Sequence, residues 1–399
     1  MRIGGTRASY KKGCVGIVYA TTSSPYIGGY RFDATDASSP WKAKYTSPTA
    51  PLVSGMDDRS AAIAVAPTNQ HIIYGGSGLT TLNIYGFDIV DGFGSANFKA
   101  ADAARPNEFT DVEGICFSQD ESKIVVSATN SLSCYDWDSG SSGTSVVGAN
   151  LWSVATQRDG ITASSPQAIG SAVTLLPYNS LQFGEDEVVL QSEYFTSALS
   201  NPEMHLRSLS TGSSLGFATY NKTNGQLRTP VAFSRQPSLV SGSTENTAML
   251  VQDIGSQQGY LVLALGLLDL TWASGRSSLI PSGTAGNQRY CMFDPYGRLI
   301  IADRQNLRLY SQDLGTGAFS LIDSVTTWSH GIINSLAYDI DQDVLFVASQ
   351  AAPYINAFRM SRSGFDLKYP AMTPSLNDAG SSVIRMSLVY DEEWKSYNA

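Results

Sequence analysis

Apolar positions along the chain recur as short runs separated by polar turns. The stretch from Val112 to Asp138 shows the pattern, with apolar runs at Val112–Ser118, Ile124–Ala128 and Leu132–Trp137. Such runs are too short for helices, and their β-branched and aromatic residues favour strands. The polar residues between them are those that turns prefer. The stretch therefore predicts three consecutive strands of one repeating unit.

The same pattern recurs along the whole chain. Arg289–Asp313 and Ser335–Met360 repeat it, each with a continuously apolar middle run. A strand with both faces buried loses the apolar–polar alternation, so these runs predict the inner strands of packed sheets. They are 46 to 64 residues apart, a spacing typical of four-stranded repeats. Seven such runs occur, centred on Val18, Ile73, Val125, Val189, Leu250, Ile300 and Phe346.

The two ends of the chain predict how the array closes. The chain enters at a middle strand, Cys14–Ala20, followed by a third strand at Tyr26–Asp33, and no first strand precedes it. It ends on an unpartnered first strand, Val383–Asp391. Pairing this last strand into the first unit would remove an exposed sheet edge. We therefore expect an all-β fold, a seven-bladed β-propeller closed by the strand at 383–391.

Composition favours one large domain. The chain has 399 residues, of which 15% are charged and 10% aromatic, and the repeat runs from end to end. We expect an N-terminal arm at 1–13 and a single propeller domain at 14–399. The domain is expected to carry insertions at about 139–172 and about 192–228.

Charge and apolar content exclude several classes of partner. The net charge is −9, without a basic block, which argues against nucleic acid. Tyr260–Leu270 is about half of the roughly 20 apolar residues that a membrane span needs, so no membrane insertion is expected. Nor is a signal peptide expected, because the apolar run at Cys14–Ala20 is short and serves as a strand.

Cys116 and Cys134 should be separated by one strand, which places their Cα atoms roughly 9 to 10 Å apart, too far for a disulfide.

Several short segments carry a resemblance to a known family. Ser24–Ile27 is echoed by Ala352–Ile355, Trp41–Pro48 is echoed by Asp366–Pro370, and Gly92–Gly94 adds a Gly-Phe-Gly segment. These segments resemble the propeller repeats encoded in structural gene clusters of tailed bacteriophages. The repeats are WD40-like, although this chain lacks the regular Gly-His and Trp-Asp pairs of that group.

The phage resemblance implies a non-enzymatic structural or adhesion component of a virion, in the tail, tail tip or neck. Implied partners are other virion proteins and a host surface receptor, with several copies in a symmetric assembly made in the host cytoplasm. Aromatic residues in the enlarged fourth unit are the candidates for contact, because interfaces are enriched in them. They are Tyr194, Phe195, Phe217 and Tyr220.

Two alternatives remain open. One is a lactonase-like propeller hydrolase with a metal in the central channel, where polar residues near the innermost strands could meet. The other is a cytoplasmic scaffold. His71, His205 and His330 fall in different units without a second ligand at metal-binding spacing, so we expect no catalytic residue, metal or cofactor. The channel candidates are Glu113, Arg289, Asn334, Asp57, Asp58 and Asp111.

Overall fold

The structure is a computed structural model, and every regular element in its described part is a β-strand. It describes residues 15–21, 27–46, 61–66, 71–76, 81–88, 91–100, 112, 114–118, 120–128, 131–138, 147–155, 168–180, 185–195, 203–219, 226–233, 245–253, 259–266, 278–281, 288–294, 296–303, 306–312, 319–326, 328–371 and 383–389. No helix of this part is long and apolar enough to cross a membrane.

The described strands are numbered in chain order. They are β1 (Val15–Thr21), β2 (Ile27–Phe32), β3 (Trp41–Tyr45), β4 (Ala61–Val65), β5 (His71–Gly76), β6 (Thr81–Asp88), β7 (Gly92–Ala100), β8 (Gly114–Phe117), β9 (Lys123–Ala128), β10 (Ser131–Trp137), β11 (Val147–Ala155), β12 (Ala168–Ser180), β13 (Glu185–Phe195), β14 (Glu203–Ser208), β15 (Ser214–Thr219), β16 (Gln226–Phe233), β17 (Glu245–Asp253), β18 (Gly259–Gly266), β19 (Ser278–Pro281), β20 (Gln288–Phe293), β21 (Leu299–Asp303), β22 (Asn306–Gln312), β23 (Phe319–Val325), β24 (Ile333–Asp339), β25 (Val344–Ser349), β26 (Ile355–Ser361), β27 (Gly364–Lys368) and β28 (Val383–Val389).

These strands form seven four-stranded antiparallel sheets. Sheet 1 has the order β28-β1-β2-β3, sheet 2 contains β4 to β7, and each later sheet takes the next four strands, so that sheet 7 contains β24 to β27. Each of the seven apolar runs found in the sequence lies in the second strand of a sheet: β1, β5, β9, β13, β17, β21 and β25. All six residues of β25 are buried, as expected for a strand covered on both faces.

Sheet 1 joins the two ends of the chain. Strand β28 pairs antiparallel with β1, placing Ile17 opposite Leu388 and Val18 opposite Ser387. The pairing predicted for the C-terminal strand is confirmed, with the strand covering Val383–Val389 of the expected 383–391. Without β28, strand β1 would expose an edge of unpaired backbone groups.

The apolar core lies between successive sheets. Sheets 7 and 1 share a cluster in which the rings of Phe32, Trp41, Phe346 and Tyr369 meet edge to face. The ring centroids of Phe32 and Phe346 are 4.9 Å apart. Aromatic pairs in this arrangement gain about 0.5–1.5 kcal/mol beyond the area they bury.

Each sheet has two ends that differ in their connections. We call the end with the first-to-second and third-to-fourth connections the turn end. At the turn end of sheet 6, Arg298 Nε lies 2.6 Å from Asp294 Oδ2 in a buried ion pair, and Nη1 donates to the Arg362 carbonyl of sheet 7 at 2.9 Å. One sheet further on, Gln342 Oε1 accepts a hydrogen bond from the Ala34 amide of sheet 1 at 3.1 Å. Polar groups at the turn end thus tie sheet 6 to sheet 7 and sheet 7 to sheet 1.

The opposite end, which we call the loop end, carries the second-to-third connections and the links from one sheet to the next. In sheet 7 its described segments are 328–332, 350–354 and 369–371. The first two are tied together by backbone hydrogen bonds, from Ala351 N to the His330 carbonyl at 2.8 Å and from Gln350 N to the Ile332 carbonyl at 2.9 Å. These two bonds hold the segments 328–332 and 350–354 against each other at the loop end of sheet 7.

The cysteine prediction is confirmed. Cys116 and Cys134 both pair with Val125, so that one strand lies between them, and both are free thiols. Burial raises the pKa of the Cys134 thiol to about 12, which leaves it protonated at neutral pH.

Candidate functional site

Three of the four aromatic residues expected to make contacts lie in strands of sheet 4. Tyr194 and Phe195 are the last two residues of β13 and pair with Ile169 and Ala168 of β12, while Phe217 lies within β15. Tyr220 lies outside the described residues. Most of the expected insertion at 192–228 is thus taken up by strands of sheets 4 and 5. The insertion at 139–172 likewise contains β11 and the start of β12.

The expected channel residues are only partly described. Glu113, Asp57, Asp58 and Asp111 lie outside the described residues, and Arg289 is placed in β20 by its backbone. Asn334, in β24, is 4% exposed and donates from Nδ2 to the Val383 carbonyl at 3.0 Å. The Ser335 hydroxyl accepts a hydrogen bond from Met386 N at 3.2 Å. Asn334 therefore joins sheet 7 to β28.

The histidines occupy different environments. His71 is the first residue of β5, is buried, and meets the Trp137 ring edge to face at 5.6 Å. Burial lowers the pKa of His71, and Glu121 partly opposes this. His205 lies in β14. His330 precedes β24 at the loop end and is only half-buried.

His330 and Lys368 form a pair at the loop end of sheet 7. His330 Nδ1 lies 3.0 Å from the Ala352 carbonyl oxygen, and Nε2 lies 3.3 Å from Lys368 Nζ. A carbonyl oxygen only accepts hydrogen bonds, so Nδ1 carries the proton. The lysine ammonium only donates, so Nε2 is unprotonated. The contacts therefore fix a neutral imidazole whose Nε2 lone pair accepts a hydrogen bond from a cation.

Aromatic rings pack against both members of the pair. Lys368 Nζ lies 5.6 Å from the Trp328 ring centre and 5.9 Å from that of Phe358. The Trp328 and His330 rings meet edge to face at 5.1 Å. Gly331 has φ +74°, and a Cβ there would meet the Gln350 side chain at 3.1 Å, so the link next to His330 favours glycine.

The surroundings shift both titrations in the same direction. Burial lowers the pKa of His330; Lys368 adds to this, and the hydrogen bond to Ala352 opposes it. Partial desolvation of the largely exposed Lys368 side chain also lowers its pKa. A histidine with a lowered pKa stays neutral at pH 7 and can accept a proton from water. The His330–Lys368 pair thus combines a base and a cation within one small space.

The described residues offer no evident metal site. Among the described residues, no group of three or more His, Cys, Asp or Glu side chains could hold a metal ion. Four of the channel acids lie outside this part of the chain, so the expectation of no metal stays a prediction.

The sequence did not reveal the His330–Lys368 pair. The two residues are 38 positions apart, so the residues next to His330 in the sequence do not indicate that Lys368 contacts it. The positions of the two residues in the repeat could have indicated the pair. His330 comes shortly before the first strand of the seventh unit and Lys368 ends the fourth strand of that unit, and both positions lie at the loop end of the sheet.

Comparison with known proteins reveals likeness in structure alone. No protein-family model matches the chain, and a search of curated proteins finds no significant match. The periplasmic gluconolactonase of Pseudomonas aeruginosa superposes with a TM-score of 0.60 at 13% identity, covering 95% of this chain and 99% of that one. A Bacteroides fragilis structure that carries the name 6-phosphogluconolactonase gives 0.59 at 12% identity, covering 97% and 100%. The propeller of Dos1 gives 0.56 at 9% identity, covering 97% and 89%.

These matches correct one expectation. The protein was expected not to be an enzyme, but full-length matches include propellers named as lactone hydrolases. Nothing in the comparisons connects the chain to a phage virion, so the virion role and its partners stay predictions. At 9–13% identity the likeness shows the fold and not the activity. The chain has an all-β, propeller-like fold.

Proposed function

We propose that the protein is a seven-bladed propeller hydrolase that opens lactones, with the His330–Lys368 pair as its reacting centre. The closed ring is supported by contacts between the innermost strands of neighbouring sheets. Strands β4, β8, β12, β16, β20 and β24 are in contact in that order, and β28 contacts both β24 and β4. Seven sheets would then complete one ring.

The observation that carries the activity is the neutral His330 facing the Lys368 cation. Lactone opening needs a base that takes a proton from water and a positive group near the carbonyl oxygen as that oxygen becomes negative. His330 Nε2 is unprotonated and accepts a hydrogen bond from Lys368 Nζ at 3.3 Å, so it can act as the base once Lys368 moves aside. The names of the structural neighbours suggest the substrate class, a cyclic ester.

The chemical steps balance with these two groups. Water attacks the lactone carbonyl while its proton passes to His330 Nε2, and Lys368 stabilises the resulting oxyanion. The intermediate then collapses, the bond from the acyl carbon to the ring oxygen breaks, and His330 returns the proton to that oxygen. The product is an open-chain hydroxy acid. Lys368 must first move off Nε2 to admit the water, and its exposed side chain permits this.

The experiment measures lactone hydrolysis above the uncatalysed blank, with glucono-δ-lactone as the first substrate. His330→Gln should lower kcat by about 10²–10⁴-fold, the range for loss of a general base. Lys368→Met should also lower kcat, because the oxyanion loses its cation. Activity of the wild type should fall on acidification with a midpoint below the ordinary histidine value of about 6.5, because the pKa of His330 is lowered.

The matched control is His71→Gln, which alters another histidine with a lowered pKa at the turn end. It should leave kcat unchanged. Full activity in His330→Gln, or no hydrolysis by the wild type across a panel of lactones, would reject the proposal.

A further inference from the structure

His330 is held at two points by the connection between β25 and β26, residues 350–354. The Ala351 amide donates to the His330 carbonyl at 2.8 Å, and the Ala352 carbonyl oxygen lies 3.0 Å from His330 Nδ1. Two successive residues of the connection thus contact the backbone and the ring of one histidine. A shift of this connection would move the acceptor that keeps the proton on Nδ1.

The hydroxyl of Ser349 fixes the connection from inside the sheet. Ser349 is the last residue of β25 and is 0% exposed. Its Oγ lies 3.2 Å from the Ala351 carbonyl oxygen, 3.2 Å from that of Pro353 and 3.3 Å from that of Tyr354. A hydroxyl has one hydrogen to donate, so the three carbonyl groups share it. Because these acceptors lie on both sides of Ala352 in the chain, the single hydroxyl orients the peptide groups around that residue.

Asn356 adds a second bond to the same connection from the next strand. It lies in β26, is 2% exposed, and donates from Nδ2 to the Pro353 carbonyl at 3.0 Å. The Pro353 carbonyl therefore accepts hydrogen bonds from both Ser349 and Asn356. The two buried side chains act on the connection, and the connection in turn acts on His330.

The position of the proton on His330 decides whether the pair can work. A neutral imidazole carries its proton on one of two ring nitrogens, and the hydrogen bond made by the ring selects which one. If the Ala352 carbonyl moved away, the proton could occupy Nε2. Nε2 would then face the Lys368 ammonium as one donor against another, and it would have no lone pair to take a proton from water.

We infer that Ser349 and Asn356 are positioning residues that hold the Ala352 carbonyl against His330 Nδ1 and so keep Nε2 unprotonated for lactone opening. This inference rests on the proposed function, since it concerns the same histidine, but the position of the proton can be measured without any substrate. Neither side chain takes part in the chemical steps.

The first measurement reads the position of the proton by nuclear magnetic resonance. In the full chain labelled with ¹⁵N-histidine, a protonated ring nitrogen and an unprotonated one resonate at different frequencies. The signals of His330 are those that disappear in His330→Gln. At about pH 8, where histidine is neutral, the wild type should show a protonated Nδ1 and an unprotonated Nε2. Ser349→Ala and Asn356→Ala should each show Nε2 protonated in part of the molecules.

The second measurement is kinetic. Ser349→Ala and Asn356→Ala should each lower kcat for glucono-δ-lactone by about 10–100-fold with little change in KM, because a misplaced base slows the chemical step. The midpoint of the pH profile should also move to lower pH, since the hydrogen bond to Ala352 opposes the lowering of the His330 pKa. A loss of stability alone would not shift this midpoint.

Ser335→Ala is the matched control. Ser335 is also 0% exposed and lies in sheet 7, but its hydroxyl accepts from Met386 N at 3.2 Å, away from the connection 350–354. The control should change neither the tautomer nor kcat. Melting temperatures identify any variant that fails to fold, and the wild-type spectrum tests the tautomer independently of the variants.

The outcomes distinguish the inference from the proposed function. A wild type with its proton on Nε2, or an unchanged tautomer in both folded variants, would overturn the inference. Lactone hydrolysis that both variants retain in full would reject the inference alone. A tautomer that changes in the variants, without any hydrolysis of lactones by the wild type, would support the positioning of His330 and reject the proposed function.

Discussion

Removal of the C-terminal strand should destabilise the whole protein. Strand β28 buries Val383, Met386 and Val389, which are 0%, 6% and 1% exposed. Burying an aliphatic side chain of this size stabilises by about 1.5–3 kcal/mol, so together they contribute about 4.5–9 kcal/mol. Deletion of 383–399 also removes the partners of two hydrogen bonds, from Asn334 Nδ2 to the Val383 carbonyl and from Met386 N to Ser335 Oγ.

The loss is comparable to the total stability of a typical folded protein, about 5–15 kcal/mol. The truncated chain should therefore lose cooperative unfolding or melt far below the full chain. It should also associate, because β1 is left as an exposed edge with unpaired backbone groups.

The assay combines thermal unfolding followed by circular dichroism with light scattering after size exclusion. The matched control is a chain that ends at Val389, which keeps all of β28. A truncated protein that stays monomeric and melts together with this control would refute the reasoning.

Two further predictions concern the turn end. Arg298→Met should lower the free energy of unfolding by about 3–5 kcal/mol, because it leaves the buried Asp294 carboxylate without its ion-pair partner. The control Arg359→Met breaks an exposed ion pair and should cost less than about 1 kcal/mol. If urea unfolding gave equal losses for the two variants, the prediction would be contradicted. Burial raises the pKa of Asp339 to about 6 from 3.8, so the folded state binds its proton more tightly than the unfolded state, and this term makes stability rise as pH falls through that interval. Asp339→Asn should remove that part of the pH dependence in urea titrations at a series of pH values, and an unchanged slope would show that another group is responsible.

The strand array could be predicted because its strongest signal is local. A second strand covered by sheets on both sides must be apolar at every position, as in Val344–Ser349, and such a run is visible without knowledge of the fold. The joining of the chain ends followed from counting strands within units. Both inferences use only short stretches of sequence and the rule that sheet edges are paired or covered.

The fourth unit was harder to interpret because its strands carry polar residues near their ends. Strand β13 contains Glu185, Asp186 and Glu187 at one end and Glu193 near the other, so only its centre shows an apolar run. Tyr194 and Phe195 were therefore expected within the insertion at about 192–228, although backbone pairing with β12 extends through both. Backbone hydrogen bonds do not depend on side-chain polarity, and the sequence pattern underestimates strand length for that reason.

The candidate site could not be predicted because it depends on tertiary contacts. The tautomer of His330 is set by the Ala352 carbonyl, which belongs to a different connection of sheet 7. Its lowered pKa comes mainly from burial between sheets, which a sequence window cannot show. Only the packing of Trp328 and Phe358 brings Lys368 to the imidazole.

Buried polar atoms without a partner occur at both ends of the sheets in the described structure, and Arg298 Nη2 and His71 Nδ1 are examples at the turn end. At the turn end, the Arg298 guanidinium and the Gln342 side chain reach the neighbouring sheet and bind there, so their burial stabilises the arrangement of the sheets. At the loop end, Trp328 Nε1 and Asn356 Oδ1 are buried without a partner in the described structure, which costs stability. What distinguishes the loop end of sheet 7 is the neutral His330 bonded to Lys368, and we place the proposed chemistry there because of that pair.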